Sequence, residues 1–405
     1  MSCYKPVVLA QHYLAASTFA YVEPCRVQDL STSLMKRGRL RQTIAAVLSS
    51  IIGAIGIRHL WRKNYIFRKN LTARKLANIA LRTLAFICKL PKLGGVPVHL
   101  KVDVSPQCQL RCPVCLQSEM SKAERQTLPK NMALTTFTNL VDQVRGRTHV
   151  MSLYNLGEPL MNKDLPSMIA YASKANINTY ITSNFSFPFN EERLTKIIKS
   201  GLTLLIVAVD GISDATFGKQ RIGGRWEFIE NNLRSFISLR GARGPRIALQ
   251  YIVFDHNRFE VDSVKAYCDR LGIDDLILVQ GETTPWTTLF AERAEWLPKP
   301  KNRLPRCAWP FFSAVVAPNG NVFGCCNYRM EENYLRQQDV RPMGNINTAK
   351  MVDIYSSEAY RAARRLTIDP ARHGPLTGHF CDGCPAIQGG WPVASKKGLT
   401  PGLPA

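Results

Sequence analysis

The stretch 149–184, HVMSLYNLGEPLMNKDLPSMIAYASKANINTYITSN, decides the fold. It predicts a strand at 149–155, a helix at 165–176 and a second strand at 177–184, with polar motifs directly after the strands. Apolar strands separated by helices of this length are typical of a parallel sheet covered by helices. The same alternation continues on both sides of this stretch. The sequence therefore predicts six strands, separated by helices, between residues 96 and 295.

Six strand–helix units predict an α/β fold, a partial and open (β/α)6 barrel related to the eight-unit barrel. Active groups of such folds lie at the C-terminal ends of the strands. The unusual motifs fall at those ends: cysteines after the first strand, GEP after the second, SN after the third and DG after the fourth. Local signals predict Asn190 and either Thr135 or Thr136 as helix N-caps, and Gly201 as a helix stop.

Three of the 12 cysteines lie within eight residues, in CQLRCPVC at 108–115. A structural zinc site closes with four protein ligands, whereas each of the four irons of a [4Fe–4S] cluster takes one thiolate. The thiolates of Cys108, Cys112 and Cys115 would therefore leave one iron for a small molecule. Three corners of a zinc site are the alternative. Clustered cysteines also indicate a reducing compartment, such as the cytoplasm.

The C-x3-C-x2-C loop after the first strand resembles that of the radical S-adenosylmethionine (radical SAM) superfamily. The resemblance implies that SAM chelates the fourth iron, that the reduced cluster cleaves SAM, and that the 5′-deoxyadenosyl radical abstracts a substrate hydrogen. The chain departs from the family pattern at Leu156, in place of a glycine, and at Val114, where many members have an aromatic residue. No catalytic acid or base is assigned. The residues that match the family's SAM contacts are Gly157, Glu158, Pro159, Asn184, Asp210 and Arg221.

Beyond residue 295 the pattern changes to a predicted β-hairpin in FFSAVVAPNGNVFGCC at 311–326, around a Pro-Asn-Gly turn, and a predicted helix at 349–367. This part resembles the auxiliary-cluster domain of radical SAM enzymes, in the short form called twitch rather than the longer SPASM form. The resemblance implies a second, fully ligated [4Fe–4S] cluster, although four cysteines could instead bind zinc. Cys326 competes with Cys325 as a ligand. The implied ligands are Cys307, Cys325, Cys381 and Cys384.

The formal net charge of +23 is concentrated near the N-terminus, because residues 1–100 contain 16 Lys and Arg but only two acidic residues. Such a segment favours anionic partners: a membrane surface, nucleic acid or a transit receptor. The uncharged stretch Gln42–Ile57 is shorter than the roughly 20 residues that span a bilayer, so an interfacial helix or a short anchor is expected. The sequence also predicts a helix at 71–90. This helix would either pack on the main domain with a solvated basic face or contact a membrane through Leu76, Ile79, Leu84 and Ile87. Met35 is a second candidate start.

We therefore expect a basic, partly amphipathic helical extension at 1–95, a radical SAM core at 96–295, an auxiliary domain at 296–395 and a tail at 396–405. The expected protein is a radical SAM oxidoreductase or maturase that acts on a small molecule or a peptide. Its second cluster would transfer electrons. A reductant such as flavodoxin or ferredoxin would supply electrons to the enzyme. It would lie in the cytoplasm, either free or at the inner face of a membrane. RNA modification ranks lower, because most excess charge lies outside the core, and a zinc-binding basic module is the third alternative.

Overall fold

The computed structural model describes residues 66, 69–113, 115–155, 157–242, 244–281, 304–325 and 341–374, together with 379, 381, 384 and 387. Several features discussed above lie outside the described residues. They are Met35, Gln42–Ile57, Val114, Leu156, Cys326 and the tail at 396–405.

Six parallel strands form the core of the molecule and confirm the predicted α/β fold. They lie side by side in the order β6-β5-β4-β3-β2-β1, so each strand pairs with its neighbours in the sequence, as an open barrel requires. The strands are β1 (His99–Val102), β2 (Val150–Ser152), β3 (Asn178–Ser183), β4 (Leu204–Val209), β5 (Arg246–Val253) and β6 (Asp275–Gln280).

Helices connect these strands, and two of the predicted helix signals are confirmed. Asn190 caps its helix by accepting the backbone N–H of Arg193, and Gly201 follows that helix with a φ of 85°. The prediction of Thr135 or Thr136 as a cap is wrong, because that helix begins at Leu134 after the extended Ala133. The described helices of this part are α1 (Ala73–Ile87), α2 (Leu116–Glu119), α3 (Lys122–Gln126), α4 (Leu134–Val144), α5 (Leu165–Lys174), α6 (Glu191–Lys199), α7 (Asp214–Gln220), α8 (Trp226–Arg240) and α9 (Val261–Leu271).

The C-terminal part contains the predicted hairpin, and the segment predicted to be helical at 349–367 is helical but forms two helices. The chain breaks there into two helices, because the Ser357 hydroxyl accepts the N–H of Tyr360 and starts a new helix. The elements are α10 (Trp309–Phe312), β7 (Ser313–Val316), β8 (Asn321–Phe323), β9 (Gly344–Asn345), α11 (Met351–Tyr355), α12 (Glu358–Ile368) and α13 (Pro370–His373).

The hairpin continues the core sheet. Strand β7 pairs in parallel with β1, with His99 opposite Ser313 and Val102 opposite Val316, and the sheet then continues through β8 and β9. The C-terminal hairpin is thus attached to the strand that carries the cysteine loop. The predicted boundary near residue 295 stays a prediction, since 282–303 lie outside the described residues.

The two faces of the six-stranded sheet differ in character. Alternate residues such as Leu100, Met151 and Leu205 pack against the helices in the main core. The opposite, inner face carries a smaller apolar cluster that includes Tyr180, Ile206 and Ile66. Within the described part of the chain, no helix has the length and apolar character needed to cross a membrane.

Helix α1 packs on the fold through Ala85 and Phe86, but the predicted solvated basic face is wrong. Lys75 and Arg82 are fully buried, whereas Leu76 and Leu84 are 52% and 50% exposed. The Lys75 ammonium donates to the carbonyls of Asn70 and Asn176, and the Arg82 guanidinium donates to the carbonyls of the 93–94 turn. Backbone carbonyls thus satisfy the Lys75 ammonium and one terminal nitrogen of Arg82, whereas Nε and Nη1 of Arg82 have no hydrogen-bond partner among the described residues.

Candidate functional site

The cysteine loop lies at the C-terminal end of β1, and its three thiols share one half-buried region. The pKa of Cys108 is raised to about 12, chiefly by burial and then by the Glu158 carboxylate, with further contributions from the thiols of Cys112 and Cys115. Burial likewise raises the pKa of Cys112, which Arg221 opposes. Three thiolates so close together need bound positive charge, which the irons of a cluster supply.

The GEP motif touches the cysteine loop through the backbone. The N–H of Glu158 donates to the carbonyl of Gln107 at 2.7 Å. A Cβ at position 157 would lie 2.2 Å from the carbonyl oxygen of Ser105 and 2.6 Å from that of Gln107. Glycine is therefore required at Gly157 by this close approach. Pro159 follows at the first position of a short 3-10 turn.

Glu158 is a buried hydrogen-bond acceptor beside the loop. One carboxylate oxygen accepts the N–H of Leu160 at 3.1 Å and the other accepts the N–H of Asn184 at 2.8 Å. Burial raises the pKa of Glu158 to about 7, although these hydrogen bonds favour the charged form. A carboxylate oxygen can accept a second hydrogen bond, so the group fits the ammonium of an amino acid moiety.

Asn184 holds the first cysteine from the end of β3. Its amide nitrogen lies 3.8 Å from the Cys108 sulfur and 3.3 Å from the Gln109 amide oxygen. In return, the Gln109 amide donates to the Asn184 oxygen at 3.0 Å. Gln109 was not predicted. A glutamine between two cysteines carries no motif of its own, and only its partner across the sheet gives it a role.

Asp210 and Arg221 form an ion pair with each other. Arg221 Nε lies 2.6 Å from Asp210 Oδ2, and Arg221 Nη1 lies 4.0 Å from the Cys112 sulfur. Burial disfavours the charged guanidinium, but Asp210 and Cys112 more than offset it, so the pKa of Arg221 is raised. Asp210, at the end of β4, thus holds the Arg221 guanidinium beside the cysteine loop. All six predicted SAM contacts thus lie around this loop.

The four auxiliary cysteines also come together. The pKa of the buried Cys381 is raised well above its ordinary value, chiefly by burial and then by the thiols of Cys384 and Cys307. Cys325 lies near the same group, because it and Cys381 both act on Tyr360. The pKa of Tyr360 is raised chiefly by burial, then by Tyr355, and further by these two thiols. Four converging thiols fit a fully ligated cluster.

No group of three or more His, Cys, Asp or Glu side chains that could hold one metal ion is found among the described residues.

The inner face of the sheet carries polar side chains that the sequence did not single out. The Lys101 ammonium lies 4.2 Å from the centroid of the Tyr154 ring. Both amide atoms of Gln250 and the Thr182 hydroxyl are buried without a hydrogen-bond partner in the described part of the chain. Burial, and then Lys101, lower the pKa of His99 to about 3, so His99 is neutral. The available signal was a histidine and a lysine alternating within a strand expected to be buried.

Comparisons with known proteins agree with this site. The model of the radical SAM superfamily matches residues 102–268, and that of the SPASM iron-sulfur cluster-binding domain matches residues 307–385. The chain belongs to the radical SAM superfamily and carries a SPASM domain. Its cofactors are accordingly [4Fe–4S] clusters and SAM. The predicted family and the predicted auxiliary iron-sulfur domain are confirmed.

Individual relatives are distant. A PqqA peptide cyclase of Xanthomonas campestris pv. campestris (strain B100) is 23% identical over 191 residues, which are 47% of this chain and 48% of that protein. The chain thus spans about half the length of the curated relatives it matches. The structure of SuiB from Streptococcus suis is 12% identical, with a TM-score of 0.53 over 78% of this chain and 80% of SuiB. The structure of SuiB bound to its precursor peptide SuiA is also 12% identical, with a TM-score of 0.50 over 76% of this chain and 75% of SuiB.

Proposed function

We propose that this radical SAM enzyme modifies a peptide. One observation carries the SAM-cleaving part of the proposal: the backbone of Gly157 and Glu158 abuts the cysteine loop, and the Arg221 guanidinium lies beside Cys112. When bound, the cluster and SAM supply the power to abstract a hydrogen atom from an unactivated carbon.

The protein's own residues would bind the cluster and orient SAM. Cys108, Cys112 and Cys115 would hold three irons, and Glu158 would accept the ammonium of the methionine moiety. Arg221, held by Asp210, would present its remaining N–H groups to an anionic group of the ligand. The amide clamp of Asn184 and Gln109 would fix the position of the first cysteine.

A peptide substrate has two kinds of support. The curated relatives are named peptide cyclases, and SuiB binds a precursor peptide. On the inner face, Gln250 offers one unpaired donor and one unpaired acceptor, the pattern that a peptide group satisfies. Lys101, on the same face, would attract an acidic side chain.

A second cluster on Cys307, Cys325, Cys381 and Cys384 would make the enzyme an oxidoreductase or a maturase, because it could accept an electron from the substrate. Flavodoxin or ferredoxin would reduce the enzyme. The basic N-terminal extension favours a peripheral position at the inner face of a membrane.

Deuterium transfer tests the substrate class. Anaerobically reconstituted enzyme is incubated with SAM, dithionite and perdeuterated precursor peptides encoded near its gene, and 5′-deoxyadenosine is analysed by mass spectrometry. A perdeuterated amino-cyclitol serves as the small-molecule control. We expect deuterium from a peptide only; transfer from the cyclitol and from none of the peptides would contradict the proposal.

A further inference from the structure

Helix α1 turns an almost uncharged face to water. Leu76 and Leu84 are 52% and 50% exposed, and Leu71 and Leu90 at the two ends of the helix are each 40% exposed. We call these four leucines the α1 face. They are four of the seven large hydrophobic side chains that are exposed in the described residues. The other exposed side chains of α1 are Ala73, Arg74, Ala77 and Ala80.

The orientation of α1 is fixed by its buried polar side. Lys75 and Arg82 donate to backbone carbonyls, and the Asn78 amide donates to the carbonyl of Val96 at 3.0 Å. Turning the α1 face inward would break these hydrogen bonds. The inner side of α1 also buries Ala85 and Phe86, which pack against Phe311 and Phe312, so the helix carries apolar residues on both sides. The leucines are therefore held outward by the fold.

The surroundings of the α1 face are basic. No carboxylate occurs between Leu30 and Val102, and the exposed charged residues beside the face are Arg74, Lys89 and Lys92. Glu358 is paired with Arg365, whose hydrogen bond is the main cause of its lowered pKa, and Lys92 makes only the smallest contribution. Outward leucines with a basic rim are the features of a helix that lies in the interface of an anionic bilayer.

We propose that the α1 face docks on an anionic lipid bilayer. The four leucines enter the boundary between headgroups and acyl chains, and Arg74, Lys89 and Lys92 contact lipid phosphates. The chain's own segment Gln42–Ile57 is a poorer occupant. It is uncharged but lies between Arg41 and Arg58, so its approach would add cations to a rim that already lacks carboxylates.

This inference rests on the membrane position given in the proposed function and names the surface that would make the contact, but it does not depend on SAM cleavage. Docking would hold the protein at a membrane surface. Its cysteine loop would then be near substrates that are themselves at that surface.

Vesicle flotation of the full chain tests the docking. The vesicles are phosphatidylcholine alone, or equal parts of phosphatidylcholine and phosphatidylglycerol. The test variant is Leu76→Gln/Leu84→Gln, and the matched control is Leu239→Gln/Phe259→Gln, which changes two exposed apolar side chains elsewhere. We expect binding to the anionic vesicles, a loss of about tenfold or more in the test variant and no loss in the control. Added salt should weaken binding.

Three results would overturn the proposal. They are absence of binding by the unmodified chain, equal binding by the test variant, and binding that appears only when residues 42–57 are deleted, which would assign the face to that segment. Thermal melts and SAM cleavage of both variants are measured in parallel. Both should match the unmodified chain, so failure of docking is distinguished from misfolding and from failure of the proposed chemistry.

Discussion

At position 157 the smallest side chain is required, because an added Cβ would lie 2.2 Å from a backbone oxygen of the cysteine loop. The contact is between two backbone segments, and neither can move without displacing β1 or β2. Residue 157 thus couples the fold of the core to the position of the three thiols.

Gly157→Ala should destabilise the protein by about 1–3 kcal/mol, the usual cost of overpacking, and should lower the iron retained after reconstitution. Gly218→Ala is the matched control, since its Cβ would meet nothing within 4 Å and it lies inside helix α7. The control should be neutral or slightly stabilising. Thermal melts and iron content check this. Equal behaviour of the two variants would contradict the close approach at 157.

The positions of Glu158 and Asn184 near the cysteine loop could be predicted, because both residues follow the C-terminal ends of predicted strands. It could not predict that Asp210 pairs with Arg221. That pair depends on helix α7, which the sequence did not reveal between two stronger elements. Gln109 and Gln250 were missed for a similar reason, since their roles depend on partners or on burial that only the packed sheet defines.

At the scale of elements, the strands were predictable because buried parallel strands are continuous apolar runs. Helix α1 was predictable as a helix but not in its orientation. Its pattern has an apolar and a basic side, and the usual rule buries the apolar one. The rule holds only in part here, because Ala85 and Phe86 are buried but so are Lys75 and Arg82, which donate to the carbonyls of Asn70 and Leu93.

Lys75 should make stability depend on pH. Burial lowers the pKa of Lys75 from 10.5 to about 8. Between pH 8 and 10.5 the unfolded chain then binds more protons at this site than the folded chain, so the free energy of unfolding rises with pH. Below pH 8 both states are protonated and the contribution is constant.

The comparison is with Lys75→Met, which removes the titrating group. In thermal melts the stability advantage of the unmodified chain over Lys75→Met should grow from pH 7.5 to 9.5. Because other groups titrate identically in both chains, the difference isolates Lys75. A difference that is constant over this range would show that Lys75 has its ordinary pKa.

For the whole molecule, the sheet joins the two family domains. The sequence predicted a hairpin within residues 311–326, but local periodicity carries no information about the pairing of β7 with β1, more than 200 residues away. The hairpin covers the edge of the strand that leads into the cysteine loop. The auxiliary domain therefore completes the core sheet as well as supplying cysteines.

A chain that ends at residue 295 should aggregate, because β1 would become an exposed edge strand with unpaired N–H and carbonyl groups. A chain that ends at residue 390 keeps β7 and β8 and is the control. Size-exclusion chromatography with light scattering measures the outcome. A monomeric, cooperatively folded 1–295 fragment would show that the core does not need the hairpin.

The most direct measurement is of 5′-deoxyadenosine formed from SAM under dithionite by anaerobically reconstituted protein. The unmodified chain and Cys268→Ala, a buried cysteine of α9 away from both sites, should form it. Cys112→Ala should form none and should lose about four irons per chain. Formation of 5′-deoxyadenosine by Cys112→Ala at the rate of the unmodified chain would contradict the role of the three-cysteine loop.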